Sequence, residues 1–177
     1  MTTPTTPSAS RTARPALGLL LERFGLLSHP DLERALARQA REGGRLGTCL
    51  LDLHLLDEET LLAALGTQLG VEVVPPGRLD DVGRENARLL PERAAFHAHA
   101  APLGSSESGE LEVAMMDPTD LVLRDELTAV AGRKVRPRLA LEVRIAEALE
   151  KIYGREESER LKRTRVQLAR RARLAAG

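Results

Sequence analysis

The residues best suited to chemistry lie in two leucine-rich segments that share Leu-Gly near the start and Gln at the end. Residues 16–39 have the sequence ALGLLLERFGLLSHPDLERALARQ, and residues 45–68 have RLGTCLLDLHLLDEETLLAALGTQ. Leu-Gly is expected to open a short helix in each segment, where free N–H groups and a partial positive charge suit a phosphate. Glycine there lets a ligand approach the backbone closely. A helix start of this kind is able to seat a phosphate.

No arrangement typical of catalysis accompanies these segments. Gly104–Gly109 has the GxxxxG spacing of a phosphate loop, but Glu110 and Leu111 stand where Lys and Ser or Thr are needed. No Ser-His-Asp, Cys-His or paired-carboxylate set stands out. We therefore expect the hexapeptide to be an ordinary hairpin loop and the chain not to be an enzyme.

His97 and His99 are the best candidates for a metal site. Being two residues apart, they would share a face of a strand, as metal ligands sometimes do. No nearby Asp, Glu or Cys completes the ligand set. The sequence therefore predicts surface histidines and no metal site.

Composition narrows the class of protein. Of 177 residues, 42% are hydrophobic and only 2% aromatic, so Leu, Val and Ala must fill the core. The formal net charge is zero, which offers no overall field to nucleic acid or an anionic membrane. Cys49 is the only cysteine, which excludes an internal disulfide and a thiolate zinc cluster and fits a reducing cytosol. We expect Cys49 in the core of a cytoplasmic protein that requires no cofactor.

The N-terminal residues 1–13 form a separate region. They are rich in Thr, Pro and Ser and lack an apolar stretch, so they are neither a signal peptide nor a spanning helix. The nearby apolar run Leu17–Leu21 is interrupted by Gly18 and is too short to cross a bilayer. A disordered leader is expected.

The two segments are related by an offset of 29 residues and match at nine of 24 positions. Six matches are Leu on Leu, which arise easily in a leucine-rich chain. The Gly and Gln matches carry more weight, because core packing is not expected to require them. The three matches other than leucine are Gly18 with Gly47, Ala35 with Ala64, and Gln39 with Gln68.

Each unit is predicted to form two short helices joined by a turn. Gly25 can end the first helix in a left-handed cap. Ser28 and Asp57 are the predicted N-caps of the second helices. Gly43 and Gly44 break the chain between the units.

The second half alternates strands and helices, which indicates a small sheet covered by helices. The predicted fold class is α+β: a bundle of short helices over residues 14–70, then a small α/β subdomain of about three strands over 71–154. The predicted strands are Val71–Val74, Ala98–Leu103, Leu111–Met115 and Lys134–Leu139, and the predicted helices are Leu89–Phe96, one from the DPTD turn at 117–120 to Ala131, and Glu142–Tyr153.

Residues 155–177 form a basic tail or linker, with eight Arg and Lys against three Glu. Leu161 and Leu168 are seven residues apart, which predicts a lone amphipathic helix. A solvated helix is the favoured interpretation, and an arm for a protein partner or nucleic acid is the alternative.

Several motifs together resemble the MshEN family, the N-terminal domain of type II secretion and type IV pilus assembly ATPases. They are the doubled Leu-Gly and Gln unit, the five-residue spacer 40–44, AMMDPTDLVLRDEL and the closing KIYG. The resemblance covers residues 14–154, without the motor domain. It implies cyclic di-GMP as a ligand of the paired motifs, each opening with Arg-Leu-Gly, and docking to a protein of the secretion or pilus machinery. Membrane insertion is not expected.

The resemblance also implies roles for single residues. Arg45 would lay its guanidinium against a guanine and donate to its acceptors. Leucine pairs would form apolar shelves for the purines, with glutamines making polar contacts beside them. The implied ligand-binding residues are Arg14, Leu17, Gly18, Leu32, Leu36, Gln39, Arg45, Leu46, Gly47, Leu61, Leu65, Gln68 and Asp117.

The first unit departs from the family pattern. Ala16 stands where the family has Arg, and Arg14, a second basic position, is restrained by Pro15. In the second unit His54 replaces a glycine, which removes an easy left-handed turn. The second half-site is thus nearly complete and the first is impaired. The alternative hypothesis is a protein-docking adaptor that has lost nucleotide binding.

Overall fold

The computed structural model describes residues 16–75, 77–155 and 158–175. The predicted leader 1–13 and the candidate residue Arg14 lie outside these ranges. The α+β class is confirmed, with eight α-helices and a three-stranded sheet in the described ranges. The elements are α1 (Leu17–Arg23), α2 (His29–Glu42), α3 (Leu46–Asp52), α4 (Glu58–Leu69), a 3₁₀ helix (Arg84–Arg88), α5 (Glu92–His97), β1 (Ala100–Ser105), β2 (Leu111–Met115), α6 (Leu121–Ala131), β3 (Val135–Leu139), α7 (Glu142–Tyr153) and α8 (Glu159–Ala175).

The first four helices form two helix pairs with the same local geometry. Helices α1 and α3 begin 29 residues apart, as do α2 and α4. Both predicted N-caps are confirmed: the Ser28 hydroxyl accepts from the backbone N–H of Asp31 at 3.3 Å, and the Asp57 carboxylate accepts from that of Thr60 at 2.7 Å. These caps satisfy N–H groups that the first helical turn leaves without partners. Their duplicate origin remains an inference from the sequence.

The turn inside each pair is left-handed, including the one without glycine. Gly25 has φ of 67°, and His54, 29 residues later, has φ of 58°. The prediction that His54 removes this turn is therefore wrong. The backbone keeps the turn because both ends are fixed by helices, and His54 bears the steric cost of a Cβ in this region.

The glycines that open α1 and α3 are packed under leucines. A Cβ at Gly18 would lie 2.7 Å from Cδ1 of Leu32, and one at Gly47 would lie 3.3 Å from Cδ2 of Leu61. The expectation that core packing does not require these glycines is wrong. Each leaves room for a core leucine from the second helix of its pair.

The sheet has the order β1-β2-β3, with β1 and β2 antiparallel and β2 and β3 parallel. The turn at Ser106–Glu110 closes the predicted hairpin, and α6 makes the crossover between the parallel strands. The predicted strand Val71–Val74 is only a bridge from Val73 to Leu139. Pro75 has no N–H to donate, so pairing does not extend beyond Val74.

Two other boundaries differ from prediction. The predicted helix Leu89–Phe96 is α5, which begins after Pro91, because proline's ring suits a helix start and not its interior. The predicted strand from Ala98 starts at Ala100 instead. His97 therefore ends a helix and His99 follows it with φ of 45°, so they do not share a strand face. The described ranges contain no cluster of His, Cys, Asp or Glu able to hold a metal ion.

Two hydrophobic clusters form the core, and α7 contributes to both. The sheet cluster takes the middle of α7, including Ile145, Leu149 and Ile152. The helical cluster, built on leucines of α1 to α4 and beside the buried Cys49, takes Leu141 and Val143 from the start of α7. The helical pairs thus do not pack alone. A boundary near residue 70 between subdomains stays a prediction.

Helix α8 is docked and not solitary, which corrects the predicted lone helix. Leu168 is buried in the helical cluster, and the buried hydroxyl of Thr164 donates to Asp52 of α3. Arg165 pairs with Glu150 of α7 at 2.8 Å. No helix in the described ranges is long and apolar enough to cross a membrane.

We expect His54→Gly to raise the free energy of unfolding by about 0.5–1 kcal/mol, since relief of left-handed strain exceeds the entropy cost of glycine. The contact of His54 with Arg171, at 3.2 Å on the surface, should matter little. The converse change, Gly25→His, should destabilise by about 1 kcal/mol, because a Cβ there meets nothing within 4 Å and only backbone strain is added. Urea denaturation measures both, and a stabilising Gly25→His would contradict the strain argument.

Candidate functional site

A cavity of about 280 Å³ opens where α3 begins, between the helical pairs and the start of α7. It brings together seven of the thirteen residues implied by the family resemblance. Most of its wall is apolar, which suits a planar ring system. The seven predicted residues are Leu17, Gln39, Arg45, Leu46, Gly47, Leu61 and Leu65, and the cavity is completed by Gly44, Thr48, Leu51, Met116, Ala140, Leu141, Glu142 and Val143.

Arg45 is the cationic group of this cavity. It occupies the N-cap position of α3 in an extended conformation, with φ of −89° and ψ of 145°. Its side chain is exposed, and it makes no hydrogen bond or ion pair within the part of the chain that the structure describes. A planar guanidinium without a partner can stack on a base or donate to oxygen and nitrogen acceptors.

Gln39 supports the loop that carries Arg45. Its Nε2 donates to the carbonyl oxygen of Gly44 at 2.8 Å. Through this bond α2 of the first pair fixes the segment between the pairs, just before Arg45. Leu17, also from the first pair, lines the same cavity at the start of α3 in the second pair. Both helix pairs therefore contribute to one pocket.

Of the other predicted residues, those that the structure describes are not part of this cavity. Leu32 covers Gly18 in the core, and Leu36 is 45% exposed. Asp117 Oδ1 accepts from the backbone N–H of Thr119 at 2.9 Å and from its hydroxyl at 2.6 Å, closing a turn. Gln68 does not line the cavity. The described residues thus form an apolar wall from the second unit, Leu61 and Leu65, but no matching wall from the first.

Sequence reasoning missed two polar residues of the cavity. Thr48 is buried, and its hydroxyl donates to Glu142 Oε2 at 2.7 Å. Glu142 lies 94 residues further along the chain, at the start of α7. One signal was available, because Thr48 is polar where the first unit has Leu19. Nothing local could reveal Glu142, which reaches the cavity only through the packing of α7.

A family model described as the MshEN domain matches residues 69–159, slightly more than half of the chain. The chain belongs to the MshEN family. Among solved structures it resembles MshE with cdg, at 33% identity and a TM-score of 0.58, covering 79% of this chain and 100% of that one.

Two curated relatives of this MshEN domain are type IV pilus assembly ATPases PilB. The protein of Myxococcus xanthus is 32% identical over 138 residues, which are 78% of this chain and 24% of that protein. The protein of Thermus thermophilus is 33% identical over 138 residues, which are 77% of this chain and 15% of that protein. This chain therefore spans a quarter or less of the relatives' length.

In this MshEN domain the Arg45 loop also contacts α8. The guanidinium of Arg160 packs on Gly44, where a Cβ would lie 1.7 Å from Nη1. Arg160 Nη2 is buried and finds no hydrogen-bond partner among the described residues. The loop thus lies between the cavity on one side and α8 on the other. A movement of α8 would therefore be expected to change the position of Arg45.

Gly44→Ala should destabilise the domain by about 1 kcal/mol or more and release α8. Gly44 has φ of 85°, where alanine is strained, and the added methyl displaces Arg160. Hydrogen exchange of α8 amides and urea denaturation would measure the two effects.

Gly43→Ala is the matched control. Gly43 also has a positive φ, 72°, but a Cβ there meets nothing within 4 Å. It should destabilise without selectively raising exchange in α8. Equal exchange in α8 for both variants would show that Arg160 does not couple this helix to the loop.

Proposed function

We propose that this MshEN domain is a non-catalytic regulatory module that binds cyclic di-GMP in the cavity beside Arg45. The observation that carries the proposal is that Arg45, whose guanidinium has no partner among the described residues, lines a leucine-rich cavity. It is supported by MshE, a relative 33% identical to this chain whose structure was determined with cyclic di-GMP. The proposal does not extend to the activity of the whole PilB proteins, because this chain matches a quarter of their length or less.

The chemistry of the cavity suits a guanine base. Arg45 can donate to the N7 and O6 acceptors of guanine, and Leu61 and Leu65 offer an apolar surface for the ring. A ligand of two identical halves would meet unequal partners, because Ala16 supplies no cation next to Leu17. The affinity measurement tests whether Arg14 supplies the cation that Ala16 lacks. Loss of one charged contact, about 1.5–3 kcal/mol, leads us to expect a micromolar or weaker Kd, about −8 kcal/mol or less favourable.

The proposed setting is the cytoplasm, with a protein of a secretion or pilus machine as partner. The single cysteine fits a reducing compartment. A zero formal net charge favours neither nucleic acid nor a membrane surface.

A protein-docking adaptor without nucleotide binding is the second candidate, favoured by apolar exposure on the first helix pair. Leu19 is 61% and Phe24 56% exposed, whereas their second-pair counterparts, Thr48 and Leu53, are buried and partly buried. If these side chains form one contiguous apolar patch, that patch would suit an interaction surface. This hypothesis expects no response to cyclic dinucleotides.

Arg45→Ala should weaken cyclic di-GMP binding by about 1.5–3 kcal/mol, beyond detection if the wild type is already micromolar. The fold should persist, because Arg45 is exposed and holds no partner in the described ranges. Calorimetric titration measures the affinity. Arg41→Ala is the matched control, since Arg41 is exposed on α2, outside the cavity, and should bind like the wild type. Binding indifferent to Arg45 would place the ligand elsewhere.

Ala16→Arg should tighten binding by the same increment, about 1.5–3 kcal/mol or tenfold and more. Ala16 is exposed at the N-cap position of α1, beside the cavity residue Leu17. An added arginine would restore the cation that the first unit lacks. The same titration checks this, and unchanged affinity would show that the first unit does not contribute to the ligand site.

A further inference from the structure

The cavity that Arg45 lines is also lined by a carboxylate that makes no ion pair with any described residue. Glu142 lines it from the start of α7. Oε2 accepts from the buried Thr48 hydroxyl at 2.7 Å, and no cation of the described residues lies within ion-pair distance of the carboxylate. Arg45 and Glu142 thus face one cavity without neutralising each other. A site of this kind offers both a donor set and an acceptor set to a ligand.

The hydroxyl of Thr48 fixes the orientation of the Glu142 carboxylate. Thr48 is 5% exposed and lies inside α3, so its hydroxyl has little freedom, and the bond occupies one lone pair of Oε2. Oε1 and the remaining lone pair of Oε2 stay available to accept. A carboxylate that lines a mostly apolar cavity can match two adjacent N–H donors, because charge-assisted bonds of this type are strong and directional.

Guanine presents such a pair. Its Watson–Crick edge carries the donors N1–H and N2–H₂, while its other edge carries the acceptors O6 and N7 that suit an arginine. Adenine has an acceptor at N1, which would face the carboxylate with like partial charge. A cavity with a guanidinium and a carboxylate on different walls therefore discriminates between the two purines.

We propose that Glu142 is a specificity-determining residue that accepts hydrogen bonds from N1–H and N2–H₂ of a guanine base, with Thr48 as its positioning residue. This inference rests on the proposed function, since it assigns the base recognised in that cavity. Glu142 carries the same sign of charge as the phosphates of a cyclic dinucleotide. Its contribution therefore lies in selecting the base and not in attracting the anion.

The test is calorimetric titration of wild type and Glu142→Gln with cyclic di-GMP and with cyclic di-AMP. The variant should bind cyclic di-GMP about 10- to 100-fold more weakly, the equivalent of one charged hydrogen-bonding group. Its preference for cyclic di-GMP over cyclic di-AMP should also narrow or reverse. An amide can donate to N1 and accept from the N6 amino group of adenine, which the carboxylate cannot do.

Two further variants control for charge and for fold. Glu147→Gln removes a carboxylate from the same helix, where Glu147 pairs with Arg144 and Lys151 outside the cavity, and should leave both affinities unchanged. Glu142→Asp keeps the acceptor pair on a shorter side chain, so it should retain the preference for guanine at reduced affinity. Urea denaturation midpoints of all variants show whether each is folded.

The outcomes separate the two levels of the proposal. A wild type that binds neither nucleotide overturns the proposed function and this inference together. A wild type that binds cyclic di-GMP, with a folded Glu142→Gln variant of unchanged affinity and preference, overturns the role of Glu142 and leaves the ligand site standing. Loss of discrimination in Glu142→Gln, with discrimination retained in Glu142→Asp and Glu147→Gln, supports it.

Discussion

The packing of one helix, α7, into two hydrophobic clusters is the constraint on which the rest of the structure depends. Its first turn fills the helical cluster with Val143, while Ile145 and Ile152 fill the sheet cluster. Outside the clusters, Arg144 pairs with Glu58 of α4 through two bonds of 2.6 and 2.8 Å. The hydrogen bonds and charge of Glu58 in turn raise the pKa of the Arg144 guanidinium above its ordinary value. The helix pairs are thereby held in one orientation against the sheet.

The cavity is a product of this packing and not of the helix pairs alone. Leu141, Glu142 and Val143 form one of its walls and lie far along the chain from Arg45. If α7 were removed, the helical cluster would lose buried leucine and valine surface worth about 1.5–3 kcal/mol for each side chain, and the cavity would open to solvent. The proposed ligand binding at Arg45 would therefore depend on the packing of α7, and through the contact of Gly44 with Arg160 on that of α8.

Local signals in the sequence predicted the elements that local physics determines. The caps at Ser28 and Asp57 were found because capping depends on a side chain and a backbone group three residues apart. The helix Glu142–Tyr153 was predicted with its observed ends, since the apolar spacing and the left-handed Gly154 lie in one short stretch. Five of the residues predicted for the second unit, Arg45, Leu46, Gly47, Leu61 and Leu65, do line one cavity, and their role as a ligand site stays a prediction.

The errors in prediction lie where distant contacts decide. Val71–Val74 has strand-like residues, but only the neighbouring strand β3 determines how many of them pair. The docking of α8 depends on a groove beside α3 that the composition of the tail does not reveal. His54 keeps a left-handed backbone against its own preference, because helix packing on both sides outweighs a local cost of about 1–2 kcal/mol. The position of Glu142 in the cavity likewise depends on packing between segments that are distant in the sequence.

The two helix pairs differ in how much apolar surface they leave exposed. The leucines of the second pair either enter the core or line the cavity, and Thr48 is buried where a hydroxyl can orient Glu142. In the first pair Leu19 and Phe24 remain at the surface. Nucleotide binding and protein docking would then use different faces, with the first pair free to meet a partner while the second holds a ligand. Leu17 and Gln39 of the first pair line the cavity. A ligand bound there would therefore also influence the orientation of the surface that exposes Leu19 and Phe24.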